Sequence, residues 1–110
     1  MALLTREQIF SADDLPTADV DVPQWGGTVR VRSLKSGERF ELEKLAKDSN
    51  DFRAQVVALC AINEDGSRAF TLDDVARLTE KNAEAMNAVF EVATKLNGLT
   101  GKQADDLEKN

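Results

Sequence analysis

Polar and apolar positions change period several times along the chain, and each change marks an element. Thr5-Arg6-Glu7-Gln8 has the spacing of a capping box, with Thr5 accepting from the backbone and Gln8 reaching back. It predicts a short helix over 5–11 that uses Ile9 and Phe10 as apolar anchors. Asp13, Asp14 and Pro16 then disfavour regular structure up to Thr17. Asp19-Val20-Asp21-Val22 and Thr28-Val29-Arg30-Val31-Arg32 alternate strictly, and Pro23-Gln24-Trp25-Gly26-Gly27 separates them. Alternation on both sides of a Gly-Gly turn predicts an antiparallel hairpin with Val20, Val22, Val29 and Val31 on one face.

From Ser36 the period becomes helical. Ser36 is the expected cap of a helix to about Lys47, whose stripe of Leu42, Leu45 and Ala46 is narrow. Asn50 is the expected cap of the next, which carries Phe52, Val56, Leu59 and Cys60 at i, i+4, i+7 and i+8. Its run from Val56 to Ile62 is almost wholly apolar, so periodicity alone also allows a buried strand at its end; the reading adopted is helix to about Ala61. Asn63-Glu64-Asp65-Gly66-Ser67 is a tight turn, with Asp65-Gly66 supplying residues of positive φ. Thr71-Leu72-Asp73-Asp74 repeats the capping pattern and opens a helix to about Thr79. Asn82 caps the last long helix, 83–97, and Gly98 stops it.

The pattern therefore predicts an α+β fold, mostly helical, with an N-terminal β-hairpin. One globular domain spans 1–99, and 100–110 forms a polar, loosely ordered tail. A length of 110 residues suits one core. The 42% apolar and 31% charged content suits a folded chain. No apolar run approaches the roughly 20 residues that span a bilayer, and Met1 to Glu7 lacks the pattern of a signal peptide. One cysteine, Cys60, permits no intrachain disulfide, which fits a reducing, cytoplasmic setting.

Net charge is −6. Residues 28–53 carry the most bases, but Glu and Asp are interspersed, so no cationic stripe for nucleic acid forms. The absence of histidine removes the commonest general base and metal ligand. With one cysteine, the usual zinc sets are excluded too. Asn63, Asp65 and Gly66 match three positions of a calcium loop, but Ala61 and Leu72 stand where its first and last carboxylates belong. Asp13, Asp14, Asp73 and Asp74 read as residues of loops and helix starts. Cys60, in an apolar run, reads as a core thiol. The expectation is a chain with no catalytic, cofactor or metal residues, which acts by binding other proteins.

Two places offer binding chemistry. Trp25, at a hairpin tip, either folds over the valine face or anchors an interface. On the last helix, Ala85, Val89, Val92, Leu96 and Leu99 form one stripe, and Met86, Phe90 and Ala93 a second beside it. The core can fill both, or the second stripe can face a partner helix or a second copy in a weak homo-oligomer.

Four segments together resemble the short tail assembly chaperones of long-tailed bacteriophages. They are Leu4-Thr5-Arg6-Glu7-Gln8-Ile9-Phe10, Asp21 to Val31 with its Pro23-Gln24-Trp25-Gly26-Gly27 centre, Asn63 to Thr71, and Leu96-Asn97-Gly98-Leu99. The resemblance implies a non-virion helper in the host cytoplasm that coats the tape measure protein and recruits the major tail protein. It transfers no binding residues. It also implies a longer form made by ribosomal frameshifting. Glu108-Lys109-Asn110 is compatible with such an event, because GAA-AAA-AAC contains the slippery heptamer A-AAA-AAC. A virion component, such as a head–tail connector subunit, and a small regulatory adaptor are the other readings that fit these residues.

Overall fold

A computed structural model describes residues 2–48 and 51–98. Helix α1 (Arg6–Ser11) is followed by strands β1 (Thr17–Val22) and β2 (Gly27–Arg32). Helices α2 (Ser36–Asp48) and α3 (Phe52–Cys60) lead into a short strand, β3 (Ala61–Ile62), and the chain ends in α4 (Val75–Leu78) and α5 (Ala83–Leu96). The architecture is α+β, with a three-stranded antiparallel sheet in the order β1-β2-β3.

The hairpin has the register that alternation demands, with Val20 opposite Val29 and Asp19 opposite Arg30. Val20, Val22 and Val31 are buried, and Val29 packs half-buried beside them. On the outer face Arg30 makes a bidentate ion pair with Asp19, at 2.7 and 3.1 Å, and Thr28 donates to Asp21. The turn is not centred on the two glycines. Pro23–Trp25 forms one 3-10 turn, Gly26 takes the left-handed conformation at φ +73°, and Gly27 already belongs to β2.

Helix α3 is the centre of the core. Every residue from Phe52 to Cys60 except Arg53 is buried, because α2, α4, α5 and β2 all pack against it. A helix covered on all sides cannot be read from an amphipathic stripe. Helix α5 packs on both α3 and the inner face of the hairpin. Phe52 and Phe90 meet edge to face at a centroid distance of 5.8 Å.

Several local expectations need correction. Ile9 and Phe10 do not anchor α1: they are 54% and 74% exposed, and α1 buries no residue although its capping box is complete. Ser36 is the first residue of α2, not its cap; the Glu38 carboxylate accepts from the Lys35 N–H at 2.8 Å instead. Helix α3 stops at Cys60, and Ala61 and Ile62 pair with Val31 and Arg30, because β2 still offers an open edge there. In the following turn only Gly66 has positive φ, at +88°. The Asp65 carboxylate accepts from the Ser67 N–H and so closes the turn without a left-handed conformation of its own.

The capping patterns of Thr71 with Asp74, and of Asn82 with the Ala85 N–H, are present. The first opens a 3-10 turn, Leu72–Asp74, before the single helical turn of α4. Gly98 ends α5 at φ +69°. The side chain of Ala46, the cap expected of Asn50, the position of Leu99 and the tail 100–110 lie outside the described residues.

Candidate protein-binding surfaces

The three residues singled out on α5 lie together, inside the chain. Met86, Phe90 and Ala93 are 7%, 8% and 0% exposed, and Ala85 and Val89 of the neighbouring stripe are buried as well. The core therefore takes up the second stripe, and Val92 and Leu96 of the first pack half-buried against it. Phe90 sits between the Phe52 ring and the Arg53 guanidinium, whose carbon lies 4.7 Å from the Phe90 centroid. Arg53 also donates to the Asn87 side chain at 3.0 Å, which holds it there. Met86 is placed differently. It borders a surface cleft of about 430 Å³ between α3, α4 and α5, where Ala54, Leu78 and Ala83 are its apolar neighbours.

Trp25 stands apart from that face. It is half-buried at the hairpin tip and packs against the core, as in the covering role. Its indole N–H has no hydrogen-bond partner among the described residues.

Large apolar side chains are exposed elsewhere. They are Leu3, Leu4, Ile9 and Phe10 on the N-terminal arm and Phe40 on α2. Phe40 is flanked by the Lys44 ammonium, 4.9 Å from its ring centroid. On the arm, the Arg6 guanidinium lies 4.9 Å from the Phe10 centroid, and Arg6 also pairs with Glu7 at 3.7 Å. The two apolar stripes of α5 are the more conspicuous pattern in the sequence. On the arm, the apolar residues have the sequence pattern of core anchors, and only their exposure separates the two cases.

The strongest electrostatic cluster was also hidden in the sequence. Glu38 accepts two hydrogen bonds from Arg32, at 2.9 and 3.1 Å, and two from Arg68, at 2.7 and 3.0 Å. Burial acts to raise its carboxyl pKa, but the bonds from Arg32, the Lys35 N–H and Arg68 outweigh burial and hold it at about 2. Arg32 also donates to the Ser33 carbonyl at 2.9 Å. With every charge in contact with its opposite, the cluster ties β2, α2 and the turn after β3 together. It offers no proton near neutral pH.

Burial dominates at Cys60 and pushes its thiol up to about 12, where the nucleophilic thiolate is scarce at physiological pH. Asn97 approaches its sulfur at 3.7 Å. Among the described residues no group of three or more His, Cys, Asp or Glu side chains could hold a metal ion. No described helix is long and apolar enough to cross a membrane.

No protein-family model and no curated protein matches the chain by sequence. Among solved structures it is similar to the tail assembly chaperone of bacteriophage HK97, with a TM-score of 0.65 and 17% identity. The match covers 86% of this chain and 94% of the phage protein. With coverage that high on both sides, the chain has the fold of the bacteriophage HK97 tail assembly chaperone.

Proposed function

We propose that the chain is a non-enzymatic tail assembly chaperone of a long-tailed phage or prophage, working in the host cytoplasm. In this reading it binds the tape measure protein, shields its helical stretches, and helps recruit the major tail protein. The observation that carries the reading is the fold shared with the HK97 tail assembly chaperone over nearly the whole of both chains. A buried, protonated thiol and a fully paired acidic cluster support a binding role over a catalytic one.

The test is co-expression with the tape measure protein encoded in the same genome. A chaperone keeps that protein soluble and co-purifies with it, and mass spectrometry finds no copy in mature virions. Stoichiometric recovery from virions would instead make the chain a structural subunit. A minor, longer product sharing residues 1 to about 110 belongs to the same proposal. A reporter fused in the −1 frame after Asn110 measures it, and no −1 product would remove that part alone.

A further inference from the structure

The sheet ends on an open strand. Its order is β1-β2-β3, so β1 is paired along one side only. The Ser33 N–H donates to the Pro16 carbonyl at 3.0 Å, one step outside the pairing of Thr17 with Arg32. In an antiparallel ladder such bonds recur at every second residue. Ala18, Val20 and Val22 therefore carry the bonds to β2, and the N–H and C=O groups of Thr17, Asp19 and Asp21 point away from it. Among the described residues no other group bonds to them, and all three residues are exposed. An edge in this state is a template for a further strand.

The two faces of β1 define what pairs there. Val20 and Val22 are buried on the core side and Ala18 packs half-buried beside them, so an added strand needs apolar residues on that side. Asp19 and Asp21 stand on the outer face. Arg30 neutralises Asp19, whereas Asp21 is met only by the uncharged Thr28 hydroxyl. Asp13 and Asp14 precede the strand in exposed positions. Among the described residues no cation lies within ion-pair distance of Asp13, Asp14 or Asp21. The edge is thus acidic, and opposite-charge pairing across strands favours basic side chains. The same acids oppose a second copy, because β1 beside another β1 sets like charges against each other.

We propose that β1 receives an extended segment of a partner protein, alternating apolar residues with lysine or arginine, as an added antiparallel strand. The six residues of β1 give that segment about 20 Å of ladder. In the antiparallel orientation the residues bonded to Thr17, Asp19 and Asp21 stand directly opposite them on the outer face, so these are the basic ones. Backbone bonds supply the affinity, and the alternation and charge of the segment supply the selectivity. This contact is separate from the shielding of helices in a client and does not depend on it.

The probe is a short peptide alternating valine and lysine, added to the whole chain and followed by amide exchange in NMR. Exchange at Thr17, Asp19 and Asp21 should slow about tenfold or more at saturation, while Val20 and Val22, already bonded to β2, change little. N-methylation at the lysine amides keeps the charge of the peptide and removes its ladder donors; it should weaken binding about tenfold or more. Asp21→Lys, at an exposed position, should weaken binding of the parent peptide about fivefold or more and leave the fold intact. An N-methylated peptide that binds as tightly as its parent overturns the proposal, because charge alone then accounts for binding. So does a peptide that fails to bind, or that binds without slowing exchange at Thr17, Asp19 and Asp21. Protection of these amides in the chain alone also overturns it: if independent of concentration, the chain covers its own edge, and if it rises with concentration, a second copy does.

Discussion

Replacing Glu38 by glutamine keeps the shape of the side chain and removes its charge. Arg32, only 8% exposed, and Arg68 then face each other with no counter-ion. A carboxyl held at about 2 in place of its ordinary 4.5 corresponds to roughly 3 kcal/mol of preference for the charged form. Arg68 is 34% exposed in its side chain, so solvent screens part of that interaction. Breaking one partner out of a buried pair costs about 3–5 kcal/mol, and a neutral amide retains part of the hydrogen bonding. The expected loss for Glu38→Gln is therefore about 2–3 kcal/mol at pH 7. The folded-state pKa lies below the unfolded one, so this stability is present above about pH 4.5 and is lost as pH falls toward 2. Urea denaturation of both proteins from pH 7 to pH 2.5 measures the difference. The gap should be widest at neutral pH and should narrow through that acid window. A gap below about 0.5 kcal/mol at pH 7, or one that does not change with pH, would refute the assignment of Glu38 as the stabilising charge.

Cys60→Ala should cost about 1 kcal/mol through lost packing; in the native wild type a thiol reagent should label Cys60 only on addition of denaturant. Asn97→Ala removes the acceptor of the Leu34 N–H at 2.7 Å and the donor to the Ala93 carbonyl at 2.8 Å. Leaving that N–H unpaired should cost about 1–3 kcal/mol, read from the shift in urea midpoint.

Local patterns were legible wherever one segment contains both partners of an interaction. The hairpin, the Thr71–Asp74 box, the Asn82 cap and the Gly98 stop each need only a few neighbouring residues. What escaped was non-local. Arg32 continues a polar alternation that should point it at water, yet Glu38 draws it inside, and Glu38 is held in turn by Arg68 from 30 positions further along the chain. The two residues of β3 exist only because β2 has an edge to offer. Helix α1 shows the limit from the other side: its caps and apolar residues were visible, but a one-dimensional pattern does not say whether those residues reach a core, and here they do not.

The contacts that close this fold involve no residue of the N-terminal arm. The Glu38 cluster fixes the segment after β2 to the turn after β3, and Asn97 fixes the same segment to the end of α5. Together they close the protein around α3 without help from the arm. Perturbing α5 consequently disturbs the fold before it can report on binding, since Met86, Phe90 and Ala93 serve the core first. Helix α1 buries no residue, so substitutions on the arm should leave stability at its wild-type value.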